Sequence, residues 1–438
     1  MTGCSALVYL DGLPLKSNTL KSFEFLCDID NHLPRGILKL SDDSGQAMSE
    51  FTGIYIGATV QIIFTDTTAD SDADAEEKTV TLCTLMVASI GEKPKDLAHI
   101  SGAIEILCVH PWEFYKDFST HIYKGKAHSE LIKDICSNED RGWKFKIDAK
   151  NFDTSDEKGD IPRYKCGDSD YDFIINKVLP YTTISQSPPL FWVDEQNQVK
   201  LKSFNTLFKE SAVCMATVQD SYDKSDNSKE NTIFNVVKQF NGHVFMFDSG
   251  MIKIGDEDIG QFLRPMKGQG FMDMNNMTGS TIAGGLEPTL KIGKDSASAV
   301  AAKLPVTAKV FTGQTDKKMF INRNVADMAK LATNTSSQFY NMFRLELAGE
   351  FCGEYIHTGD TVYVYIEQSD DRANDTNKKL SHWISDKWLV KRVKHIFENT
   401  ESGGRGRTQV TLCRPTFMLK TSKVYMPMLS SMYTVGNG

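Results

Sequence analysis

Histidine and tryptophan are scarce in this chain, with nine and five copies among 438 residues. The histidines form no H-E-x-x-H phrase and no paired spacing with a third ligand, so no metal site is expected. Nine cysteines, at positions 4, 27, 83, 108, 136, 166, 214, 352 and 413, contain no C-x-x-C pair. An odd, scattered set argues against a disulfide framework and a zinc ribbon. Several lie in apolar runs, as Cys83 and Cys108 do, and read as buried free thiols. No stretch of 18 apolar residues exists, so no helix is expected to insert in a membrane. The first ten residues lack a basic region before an apolar one, so the chain is expected to be made and kept in a cytoplasm. Nor is there an excess of positive charge. The formal net charge is -8, which leaves no footprint for specific nucleic-acid binding.

Enzyme signatures are missing too. There is no G-x-S-x-G elbow and no phosphate-binding G-x-x-x-x-G-K-[ST] loop; Gly284-Gly285 comes nearest and lacks the lysine. Gly268-Gln-Gly270 is not followed by a βαβ pattern, so it is no dinucleotide fingerprint. The 57 acidic residues make carboxylate pairs unavoidable, but no lysozyme-like pair stands out in a helical setting. We therefore expect no catalytic, cofactor-binding or metal-binding residues, and no enzyme. His395 reads as a wall or rim residue of a strand.

What is present is a folded chain, 40% hydrophobic and 24% charged, long enough for two to four domains. Residues 1–115 alternate apolar and polar positions, as in Phe23, Phe25 and Cys27, and predict a first β-barrel. Within it, residues 66–77 are acidic and lack large apolar side chains, so they predict a solvated loop. Residues 116–210 predict an α/β domain. Leu131, Ile132, Ile135 and Cys136 have helical spacing. A second helix over 168–179 carries Ser169 as its cap, Asp170 and Asp172 in its first turn and Pro180 at its end. Two short strands then flank the Asp194-Glu-Gln-Asn197 turn.

Residues 211–247 and 336–415 together predict a second, split barrel, with an inserted domain over 248–335. Near the end stand four strand phrases: Arg344-Leu-Glu-Leu-Ala-Gly349, His357-Thr-Gly-Asp-Thr-Val-Tyr-Val-Tyr-Ile366, Trp383 to Phe397, and Arg407-Thr-Gln-Val-Thr-Leu-Cys-Arg414. Val362, Val364 and Ile366 share one parity; Leu389, Lys391 and Val393 share another; Val410 and Leu412 a third. Period-two alternation of this kind gives strands with one buried face, and closure into small barrels leaves few open edges.

These four phrases, in this order, resemble the last barrel of the baseplate hub proteins of contractile-tailed phages. The Gly167-Asp-Ser-Asp-Tyr-Asp-Phe173 helix start and the Phe191-Trp-Val-Asp194 hairpin resemble the second domain of the same family and of related type VI secretion tip proteins. The resemblance implies a mainly β (α+β) fold: two tail-tube-like antiparallel β-barrels, an α/β domain and an inserted domain. It implies a structural subunit of the virion tail baseplate, a homotrimer that adapts a sixfold tube to a threefold central spike and leaves a channel for DNA. Its implied partners are the spike, tail tube or tube-initiator proteins, the tape measure protein and the baseplate wedge. The alternatives are a tail-associated cell-wall hydrolase and a receptor-binding tail protein.

The segment 416–438 follows the final strand and is apolar, whereas free tails are usually polar. Tyr425, Met426, Met428 and Leu429 are the candidate partner-docking residues, since methionine-rich segments suit adaptable interfaces. The expectation is docking on a neighbouring subunit, the spike or another baseplate protein.

Overall fold

The computed structural model describes residues 4–15, 19–42, 54–66, 78–96, 99–115, 119–138, 145–156, 159, 162–185, 189–207, 209–218, 243–248, 269–273, 281–282, 307–311, 343–350, 356–365, 386–400 and 403–414. The first eight strands are β1 (Cys4–Leu10), β2 (Leu13–Pro14), β3 (Leu20–Asp28), β4 (Arg35–Asp42), β5 (Thr59–Asp66), β6 (Lys78–Thr81), β7 (Leu85–Asp96) and β8 (His99–Val109). They run β3-β4-β8-β7-β5-β1-β2 across one antiparallel sheet, with β6 on β5. Residues of seven of them, among them Leu10, Phe23, Leu38, Ile62, Val80, Val87 and Ile106, meet in one cluster. A sheet whose strands all send one face into a single core has to curl around it. Asp11 and Gly12, at φ 49° and 79°, form the two-residue turn that links β1 to β2, matching the twist of the flanking strands.

The middle of the chain holds α1 (Pro111–Phe114), β9 (His121–Tyr123), α2 (His128–Ser137), β10 (Arg163–Lys165), α3 (Asp170–Phe173), β11 (Pro189–Val193), β12 (Val199–Ser203) and α4 (Phe204–Leu207). Ser169 caps α3 as its sequence predicts, its hydroxyl accepting from the Asp172 N–H at 3.0 Å. The helix then loosens into a π turn over Ile174–Val178 before Pro180 stops it. Thr182 donates its hydroxyl to the carbonyl of Val178 at 2.8 Å, satisfying an acceptor that the ending helix leaves open. Trp112, Ile132, Ile135, Phe173 and Phe191 form the core of this part.

The remaining strands are β13 (Cys214–Val218), β14 (His243–Asp248), β15 (Gln269–Asp273), β16 (Thr281–Ile282), β17 (Thr307–Phe311), β18 (Phe343–Glu350), β19 (Thr361–Tyr365), β20 (Asp386–Thr400) and β21 (Gly403–Arg414). The order β19-β13-β14-β18-β21-β20 returns to its start because β19 also pairs with β20, so six strands close a ring. Two of its pairings, β13 with β14 and β13 with β19, are parallel; the others are antiparallel. Leu345, Val362, Val390, Val410 and Leu412 fill it. β15, β16 and β17 make a separate three-stranded sheet.

The two halves share a strand. β20 continues past the ring, and its second half pairs with β3 from Arg392↔Asp28 to Glu398↔Ser22. Here the structure corrects the simple alternation read from sequence. Val390 faces Leu412 and Arg392 faces Thr411, so Lys391 is an extra residue in a bulge. Parity flips at this point. Trp388, Val390 and Val393 enter the second core, Phe397 enters the first, and Leu389 turns instead toward Trp192. Lys391 is buried and pairs with Asp30 at 2.6 Å and Asp28 at 3.8 Å.

Candidate functional site: the junction of the two barrels

The β11–β12 turn lies between the two barrels. Its Glu195 is buried, and its carbonyl accepts from the Cys83 N–H of the first barrel at 2.7 Å. Its carboxylate Oε1 accepts from the Thr358 hydroxyl at 2.5 Å and the Thr358 N–H at 3.2 Å, in the loop before β19. His357 Nδ1 stands 3.6 Å from the other oxygen, Oε2. Burial pushes the Glu195 carboxyl up, but the His357 contact and charge and the Thr358 hydroxyl outweigh that and hold it at about 2. Burial pulls His357 down, and Glu195 more than offsets it, so the imidazole is raised above its ordinary value. Each partner thus favours the charged form of the other.

Other bonds surround it. Trp192 donates its indole N–H to the Thr358 carbonyl at 3.1 Å. Lys200 lies 3.2 Å from Asp194 and 5.9 Å from the centre of the Trp192 ring. Asp360 closes the 357–360 turn by accepting from the His357 N–H at 2.8 Å, and burial raises its carboxyl despite Lys200 and His357. Gly359 sits at φ +93°, and a Cβ there would meet the Trp192 ring, Cη2 at 3.0 Å and Cζ2 closer still. Cys27 gives its thiol to the Val193 carbonyl at 3.2 Å. The arrangement ties first barrel, middle part and second barrel through one buried turn.

On its outer side the shared sheet forms an open groove of about 380 Å³ that crosses β8, β4, β3, β20, β21 and β18. Leu26, Ile37, Leu107 and Ala348 line its floor, and Arg35, Glu24, Arg392, Lys394 and Glu346 its rim. Three rim cations are paired: Lys394 with Glu24 at 2.7 Å, Arg392 with Asp28 at 2.6 Å and Arg35 with Glu113 at 2.8 Å.

The expected docking residues Tyr425, Met426, Met428 and Leu429 lie outside the described residues, as do positions 67–77 of the acidic run. His395, read as a wall or rim residue, belongs to the wall. It is fully buried near Phe25 and Phe64, where burial pulls it down to about 4 and keeps it neutral. Of the described cysteines, Cys27, Cys83, Cys108, Cys136, Cys214 and Cys413 are buried free thiols, and Cys166 is exposed. Among the described residues no group of three or more His, Cys, Asp and Glu side chains could hold a metal ion. No described helix is long and apolar enough to cross a membrane. The polar turn was missed as a site because Asp194-Glu-Gln-Asn197 reads as an ordinary exposed hairpin turn. Only the His357-Thr-Gly-Asp360 phrase carried a signal.

No protein-family model matches the chain, and no curated protein matches it. Solved structures do. The 43 kDa tail protein of prophage MuSo2 from Shewanella oneidensis superposes with a TM-score of 0.52 at 9% identity, covering 95% of this chain and 98% of that one. The tail protein from Neisseria meningitidis MC58 gives 0.51 at 11% identity, covering 94% and 97%. A component of the E. coli type VI secretion system gives 0.43 at 8% identity, covering 92% and 76%. Over nearly its whole length, this mainly β chain has the fold of phage tail proteins.

Proposed function

We propose that this chain is a structural baseplate hub subunit of a contractile phage tail, working in the virion and assembled in the cytoplasm of a bacterial host. The observation that carries the reading is one chain holding two curled strand units, one of eight strands around one core and one a ring of six around another, joined through a shared strand, in a fold it has in common with two tail proteins. Three such chains would place six similar units around one axis. A ring of that kind offers sixfold spacing to a tube on one face and threefold symmetry to a spike on the other. The centre is left open for DNA, and the net charge of -8 gives passing DNA little reason to stay. No turnover is needed for this role, and the chain is proposed to be no enzyme. Its partners are two further copies of itself, the central spike, tail tube or tube-initiator proteins, the tape measure protein and the baseplate wedge.

The buried turn at 194–197 supports the reading mechanically. A ring that transmits load must keep its barrels in fixed relation, and this one turn bonds to both, its Glu195 carbonyl to Cys83 of the first barrel and its carboxylate to Thr358 of the second. The test is multi-angle light scattering of the purified chain, alone and with its spike, followed by negative-stain imaging. A trimeric ring with a central hole is expected. A monomer under both conditions refutes the proposal.

A further inference from the structure

We propose that the groove across the shared sheet is the seat of this chain's own segment 416–438. The first argument is position. β21 contributes Gln409, Val410 and Thr411 to the groove and ends at Arg414, three residues or about 10 Å further on. The segment therefore leaves from the edge of the groove, and a short tether gives it a high effective concentration there.

The second argument is fit. The groove crosses five strand-to-strand steps, about 24 Å at ~4.8 Å each. Residues 424–429, Val-Tyr-Met-Pro-Met-Leu, span about 20 Å when extended at ~3.3 Å per residue. Pro427 prevents this stretch from serving as an interior strand, but lying across a sheet face needs no hydrogen-bond ladder. The third argument is chemistry. The floor is apolar and the stretch is apolar. The segment 416–438 has no acidic residue, so no carboxylate side chain would be buried on that floor. Tyr425, Met426, Met428 and Leu429 would supply the anchoring side chains.

The inference is independent of the ring, because the contact lies within one chain. To test it, Leu107→Cys, on the groove floor and 39% exposed, is introduced with Cys166→Ser, and its maleimide labelling is followed after subtracting the C166S parent. The full chain is compared with a chain ending at Pro415, with that chain plus a synthetic 416–438 peptide, and with full-length Leu429→Asp. In the full chain, labelling at least tenfold slower than in the shortened chain is expected, at every protein concentration. The peptide should restore protection and L429D should remove it. Equal rates in all four overturn the proposal. Protection that fades on dilution also overturns it, since a neighbouring copy would then fill the groove. If the shortened chain does not fold, the L429D comparison decides alone.

Discussion

Replacing Glu195 by Gln keeps the size of the side chain and an acceptor for Thr358, and removes only the charge. The folded carboxyl sits at about 2 against an ordinary 4.5. At about 1.36 kcal/mol per pKa unit, this corresponds to about 3 kcal/mol of pH-linked stability. A group held low contributes above its unfolded value and loses its contribution as pH falls through the folded one. Glu195 thus supports the junction fully above about pH 4.5 and ceases to by about pH 2. His357 is raised, so its share is complete below 6.5 and disappears as pH climbs past its folded value. The junction should be firmest between about pH 5 and 6.5. Urea unfolding at pH 5.5, 7 and 9, followed by tryptophan fluorescence, measures this. E195Q should be less stable by about 2–4 kcal/mol at pH 5.5, and the gap should narrow once the pH climbs past the folded value of His357 in the parent. The His357→Gln double variant should lose much less than the sum of the two single losses. A loss under about 0.5 kcal/mol at every pH would refute the reasoning, because the pair would then behave like a solvated surface pair.

Gly359→Ala should cost about 3 kcal/mol or more, combining positive-φ strain with overpacking against Trp192. Gly12→Ala, at φ +79° with nothing within 4 Å, should cost only about 1–2 kcal/mol; denaturant midpoints of the two check the difference. Replacing 67–77 by an Asn-Gly turn between the paired Asp66 and Lys78 should leave the melting temperature near that of the parent, since the removed stretch offers no large apolar side chain to the core. Duplex DNA retained by the chain at 50 mM salt should be weak and insensitive to added salt, and a tight, steeply salt-dependent complex would count against a conduit.

The legible parts of the fold were those governed by local rules. Helix spacing at Leu131, Ile132 and Ile135, the Ser169 cap and the alternation of Phe23, Phe25 and Cys27 are all written within a few residues, and each appears in place. The bulge at Lys391 was not legible, because an extra residue in a strand is defined by its partner and not by its own sequence. The candidate site was harder still. Glu195 and Thr358 are 163 residues apart, and nothing local marks either as buried. Four polar residues in a hairpin turn ordinarily face water. Only the closing of the loop over 356–360 onto that turn removes the water and gives the carboxylate its role.

The same bulge explains how one chain can build two cores from one strand. A regular 15-residue strand has a single inward parity, and β20 would have to present that parity to both barrels. The barrels lie on different stretches of it, however, with β19 on one side at Thr361↔Leu389 and β3 on the other from Arg392 onward. One extra residue between them lets Trp388 and Val390 point into the second core while Phe397 points into the first. It also leaves a lysine that cannot join either apolar core. Asp28, the last residue of β3, and Asp30, in the turn just after it, provide the anions that the buried ammonium requires. Arg392 then takes the remaining oxygen of Asp28 at 2.6 Å. The bulge, the two acids of the first barrel and the two cations of the second are therefore one device. It fixes the register between the barrels at the point where the polypeptide passes from one to the other, and it does so beside the Glu195 turn that locks the middle part to both.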